Sequence, residues 1–175
     1  VGTLYEAGTR VFIVHTRSAW LQGLSPKENR EIPPLRPEYA PMLKRDFPEA
    51  TVVVNGAIAS IEASQKRINE GVDGVMLGRA AYHDPWLLTK VDEALYGEEV
   101  STITRLEVVE RMTEYLEGAW KGDLMVVRAT ARHMMGLPQG LPGARLWRRF
   151  LSDPKSFTTH GPEVLRAAWR ATFGE

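Results

Sequence analysis

Thr51-Val52-Val53-Val54-Asn55-Gly56-Ala57 decides how this chain folds. A β-branched apolar run of strand length stops at a short loop of small residues. Gly74-Val75-Met76-Leu77 stops the same way at Gly78-Arg79-Ala80, and residues 60–71 between the two runs have the length of one helix. Two buried strands joined by a helix read as a parallel pair, the repeating part of a βα barrel. At the carboxyl ends of such strands, bare backbone N–H groups and a following helix start commonly hold a phosphate.

Working outward, Arg10-Val11-Phe12-Ile13-Val14 reads as an earlier strand, apolar almost throughout and so expected to be covered on both faces. It ends at His15-Thr16-Arg17, and Gly8 stops a helix before it. Residues 18–36 follow as a long polar segment without a core period, and loops of that length in a compact domain are usually functional. Residues 38–47 read as a short helix stopped by Pro48. Asp84-Pro85 reads as a helix start, with a capping carboxylate and proline at the first position, and that helix runs to Tyr96. Residues 10–97 thus hold three β–α units in sequence.

Beyond Gly97 the strand signal ends. Thr104 and Glu107 have capping-box spacing, and Val108, Val109, Met112, Leu116 and Trp120 follow at helical spacing. Residues 124–135, 143–151 and 162–173 read as three more helices, which makes a small four-helix domain the economical expectation. The fold class expected is therefore α/β, the C-terminal portion of a TIM barrel over residues 1–97 followed by a small all-α helical-bundle domain over residues 98–175.

Size and charge bound the function. A complete (β/α)8 barrel takes roughly 250 residues, and this chain has 175. With 22 basic and 22 acidic residues the formal net charge is zero, so whole-chain electrostatics points to no partner. The balance hides an asymmetry. Residues 91–123 carry nine acidic and three basic side chains, whereas residues 124–175 carry eight basic and three acidic. Arg145, Arg148 and Arg149 share one helix face, away from Leu146, Trp147, Phe150 and Leu151, and Arg128 and Arg132 pair one turn apart on the preceding helix. Such a face is either simply solvated or suited to nucleic-acid phosphates. There is no cysteine, hence no disulfide and no thiolate nucleophile. No metal-ligand spacing and no P-loop is present, and no apolar run is long enough to span a membrane. A soluble, cytoplasmic protein is expected, and a chain starting at Val1 leads us to expect sequence upstream. On residue types alone, His15 could be an ordinary polar strand end, Asn55-Gly56 only a turn, and Lys27 and Arg30 internal partners of their loop.

The run Gly23-Leu24-Ser25-Pro26-Lys27-Glu28-Asn29-Arg30-Glu31-Ile32-Pro33-Pro34-Leu35 goes beyond packing and turn chemistry. With Val14-His15-Thr16-Arg17, Asn55-Gly56-Ala57 and Gly78-Arg79-Ala80 around it, it resembles the tRNA-dihydrouridine synthases, most closely their A subfamily. Arg132-His133-Met134-Met135-Gly136-Leu137 and Gly140-Leu141-Pro142-Gly143-Ala144-Arg145 resemble that subfamily too. The resemblance implies an FMN-binding barrel, here its strands six to eight, followed by a helical tRNA-recognition domain. It implies reduction of a D-loop uridine, around tRNA position 20, to 5,6-dihydrouridine, with NADPH as reductant and a cysteine as proton donor. It places His15, Asn55, Gly56, Ala57, Gly78 and Arg79 around the FMN phosphate, and Lys27, Arg30, Arg145 and Arg148 on tRNA. Ala57 stands where the family has a second glycine. The family's catalytic cysteine lies in the first half of the barrel, so no catalytic residue is expected in this chain, which alone would be inactive; the whole enzyme is expected to be monomeric. Two other functions remain open: an FMN barrel oxidoreductase acting on a small metabolite, and a non-catalytic RNA-binding module.

Overall fold

The computed structural model describes residues 1–174, which divide into two compact units, Val1–Ala80 and the residues from Ala81 onward. In the first, helix α1 (Gly2–Glu6) leads to strand β1 (Val11–His15), helix α2 (Tyr39–Asp46), strand β2 (Thr51–Asn55), helix α3 (Ile61–Asn69) and strand β3 (Gly74–Met76). The strands form one parallel sheet in the order β1-β2-β3. Gly8 and Gly71 have φ of +102° and +98°, the left-handed conformation expected of helix-stopping glycines. Ser60 caps α3 by accepting from the Ala63 N–H at 3.1 Å.

The sheet buries one face. Phe12, Val52 and Val54 join Ala40, Ala50, Ile58 and Val72 in a core closed by Leu43, Phe47 and Ala63 from the helical side. On the opposite face of β1, Val11 and Ile13 are 61% and 55% exposed among the described residues. Side chains alternate across a strand, so the helices on one side of the sheet cover only every second residue.

At the start of β2, Lys44 and Asp73 tie a helix to two strands. The Lys44 ammonium donates to the Pro48 and Ala50 carbonyls, both at 2.8 Å, and lies 3.0 Å from Asp73. The other Asp73 oxygen accepts from the Val52 N–H at 2.8 Å. Burial pushes the Asp73 carboxyl up, but the Val52 N–H and the Lys44 ammonium outweigh it and hold it below the usual carboxylate range.

The second unit contains α5 (Arg105–Ala119), α6 (Leu124–His133), α7 (Ala144–Phe150), α8 (Pro154–His160) and α9 (Val164–Phe173); the short helix α4 (Arg79–His83) runs into it from the first. The Thr104–Glu107 capping box forms with both reciprocal bonds. Val109, Leu116, Val127, Trp147, Leu151, Leu165 and Ala168 make one core. Arg166 on α9 binds Glu110 on α5 at 2.8 Å through Nε and also pairs with Glu163. Those two carboxylates raise its pKa, against the effect of burial.

Three features differ from the sequence reading. Residues 154–160 form a further helix, begun by Asp153-Pro154, the same signature that marks Asp84-Pro85; Asp153 accepts from the Lys155 N–H at 2.9 Å. Residues 85–96 are not one α-helix but a 3-10 turn (Pro85–Lys90) and a π turn (Asp92–Tyr96), ended by Gly97 at φ +68°. Asp84 makes no capping bond there, and its Oδ1 is buried with no hydrogen-bond partner among the described residues. Finally, this stretch belongs to the second compact unit, not to the strands. Trp86 packs on the helical core and under the Arg105 guanidinium, 4.1 Å from the ring centre. At Gly136 an added Cβ would lie 2.6 Å from the His83 carbonyl oxygen, so glycine is what lets these segments touch.

Candidate functional site

Parallel strands in register bring their carboxyl ends to one edge. His15 is paired with Asn55, and Asn55 with Met76, so these three residues stand in a row across β1, β2 and β3. The loops that follow, beginning at Thr16, Gly56 and Leu77, therefore all leave from the same edge of the sheet. His15, Asn55, Gly56, Ala57, Gly78 and Arg79, the residues expected around the FMN phosphate, lie on or just beyond this row.

The backbone of the central loop is tightly held. The Thr16 N–H donates to the Asn55 carbonyl at 2.8 Å, and the buried Thr16 hydroxyl donates to the same oxygen at 3.2 Å. Gly56 has φ +139°, and a Cβ added there would meet Thr16 Oγ1 at 2.8 Å and Leu35 Cδ2 at 3.2 Å. Glycine is required at this point by the protein itself. Ala57 follows at φ +53°, a left-handed conformation that costs an alanine about 1 kcal/mol relative to glycine. Ala57→Gly is therefore expected to stabilise the chain by up to about 1 kcal/mol in urea unfolding. A loss of stability would mean that the Ala57 methyl makes a contact worth more than the strain.

The flanking groups suit an anion. The Arg17 N–H donates to Nδ1 of the exposed His15 at 3.3 Å, which leaves Nε2 as the ring's N–H donor. Arg79 is exposed at the start of α4 and forms no ion pair among the described residues. Gly78 is different from Gly56: a Cβ there would meet nothing within 4 Å.

The long loop after β1 is organised rather than loose. An antiparallel bridge joins Arg17 to Leu35, and the Arg17 guanidinium donates to the Glu31 and Pro33 carbonyls. The Asn29 side chain exchanges two hydrogen bonds with the Trp20 backbone, at 2.8 and 3.0 Å. Ser25 and Glu28 bond each other's backbone N–H around the turn Glu28–Arg30. These bonds lower the Glu28 pKa. Lys27 and Arg30 are exposed and without an ion pair among the described residues. The sequence reading missed Arg17 and Thr16 as the anchors of this architecture. A polar pair directly after a strand-ending histidine was the available signal.

In the second unit, α7 buries Ala144 and Trp147 and leaves Arg145, Arg148 and Arg149 exposed, as the periodicity predicts. Arg148 donates to Gln139 at 3.3 Å, and none of the three forms an ion pair among the described residues. Three uncompensated guanidinium groups on one short helix form a surface of one sign.

The dihydrouridine synthase (Dus) family pattern matches residues 1–172. A tRNA-dihydrouridine(20/20a) synthase of Shewanella oneidensis is 44% identical over 171 residues, covering 98% of this chain and 50% of that protein. The protein of the same name from Pseudomonas aeruginosa is 48% identical over 152 residues, 87% of this chain and 45% of its own length. That from a Synechocystis species is 45% identical over 167 residues, 95% of this chain and 49% of its own. The chain spans about half the length of these curated relatives. With nearly all of its residues inside one family pattern, and identities well above the level at which folds diverge, the chain belongs to the dihydrouridine synthase family.

Proposed function

We propose that the chain works as part of an FMN-dependent tRNA-dihydrouridine synthase of the A subfamily, which reduces a D-loop uridine around tRNA position 20 with NADPH as reductant. The chain supplies the last three strands of a TIM barrel with the flavin-phosphate seat, and a helical tRNA-recognition domain. The observation that supports this reading best is the row His15–Asn55–Met76, which brings three loops to one sheet edge. The residues there fit a phosphate ester. Gly56 keeps the loop free of a Cβ, His15 Nε2 offers an N–H, and the Arg79 guanidinium forms no ion pair among the described residues.

The flavin, when bound, supplies the hydride that adds to uracil C6. The proton for C5 needs a separate acid. The family resemblance implies a cysteine thiol from the first half of the barrel; this chain has no cysteine, and by itself it is expected to be inactive. The uridine has to leave its stack to reach the flavin. Its tRNA is held by phosphate contacts from Lys27 and Arg30 in the first unit and from Arg145 and Arg148 in the second. The enzyme is cytoplasmic and monomeric in this reading.

In the complete enzyme, Arg145→Ala and Arg148→Ala should each weaken tRNA binding and reduce the slope of log K against log salt by about 1. The check is a binding titration across a salt series. An unchanged slope in both variants would remove α7 from the RNA surface. Tight tRNA binding by a complete protein that retains no flavin would favour the non-catalytic RNA-binding module instead.

A further inference from the structure

Arg128 and Arg132 lie one turn apart on α6, and the connection from α7 to α8 folds beside them. With Leu151, Ser152, Pro154 and Phe157 they line a cavity of about 220 Å³. The Arg128 guanidinium carbon sits 5.5 Å from the centre of the Phe157 ring, which fixes the group against an aromatic face. Its Nε is buried and has no hydrogen-bond partner among the described residues. Arg132 is exposed, and among the described residues neither arginine forms an ion pair. A buried guanidinium donor left unsatisfied is costly unless an acceptor reaches it. An anion is the acceptor that suits it best, because two like charges share the opening and no carboxylate lines it.

The cavity also continues the basic face of α7. Ser152 on its rim donates its hydroxyl to the Arg148 carbonyl at 2.7 Å, so the wall of the cavity is fastened to the helix that carries Arg145, Arg148 and Arg149. Resting on the tRNA reading above, we propose that the Arg128–Arg132 cavity seats one backbone phosphate of the bound RNA. Arg128 is the fixed donor inside it, and Arg132 is the mobile cation at its mouth. Residues an i, i+4 step apart are about 5–6 Å apart at Cβ, close enough for both to reach one phosphodiester.

The test uses the complete enzyme and an unmodified tRNA transcript, with dissociation constants measured across a salt series. Arg128→Gln and Arg132→Gln should each raise Kd by about fivefold or more and lower the salt slope by about 1. Arg111→Gln, an exposed arginine of α5, should leave both unchanged. Unchanged slopes in the two cavity variants, with wild-type binding intact, would overturn the phosphate seat and spare the tRNA reading. An equal loss in Arg111→Gln would also overturn it, by showing a diffuse field rather than a seat. No tRNA binding by the wild-type enzyme would overturn both. Arg132→Gln changes only an exposed side chain and carries the test alone if Arg128→Gln does not fold.

Discussion

Gly56→Val is expected to strip flavin from the complete enzyme while leaving tRNA binding nearly intact. Two costs combine at this residue. The backbone has φ +139°, a conformation that a β-branched residue rarely adopts, and the new Cβ would lie 2.8 Å from Thr16 Oγ1. The Thr16 hydroxyl cannot simply swing away, because it donates to the Asn55 carbonyl and its own backbone N–H holds the same oxygen. The loop has to move, and with it the backbone N–H groups proposed to hold the flavin phosphate. Strain of about 3 kcal/mol corresponds to about a 100-fold loss of flavin affinity. The ratio of flavin to protein absorbance after gel filtration, beside a tRNA titration, reads both effects. Stronger loss of tRNA than of flavin would reassign the loop.

Trp147→Ala should cost the second unit about 3–5 kcal/mol, enough to unfold a marginal domain. Trp147 is fully buried, packs edge-on against Trp169 with ring centres 6.0 Å apart, and donates its indole N–H to the Met134 carbonyl at 3.0 Å. Removing it leaves a cavity and a buried carbonyl without its donor. Phenylalanine would restore most of the volume but not the hydrogen bond, so Trp147→Phe should fall between alanine and wild type. Urea unfolding followed by far-UV circular dichroism measures the series. A loss below about 1 kcal/mol for alanine would mean that the core repacks around the gap.

The parts of this fold legible in the sequence are those set by neighbours along the chain. The apolar runs that stop at Asn55 and before Gly78 mark β2 and β3, and the glycines at 8, 71 and 97 end their segments in left-handed conformations. The Thr104 box and the inward face of α7 follow from spacing alone. What was not legible depends on contacts between distant residues. No local rule says that Arg17 will bind the Glu31 and Pro33 carbonyls, that Arg166 will bind Glu110, or that Gly136 must leave room for the His83 carbonyl. The α8 helix is the exception. Its Asp153-Pro154 signal matched the one read at Asp84-Pro85, yet only at Asp153 does the carboxylate cap a helix. The candidate phosphate residues were named from motifs. The strand register supplies a physical reason for their shared edge, and Gly56 for its own identity.

The central claim is that the loops after β2 and β3 hold the phosphate of a flavin, and comparing FMN with riboflavin tests it most directly. The two differ only in that phosphate. The complete apoenzyme should bind FMN at least tenfold more tightly than riboflavin, a gap of about 1.4 kcal/mol or more. Arg79→Ala should shrink the gap by weakening FMN and sparing riboflavin. Equal affinities in the wild type, or a gap that Arg79→Ala leaves untouched, would contradict the account.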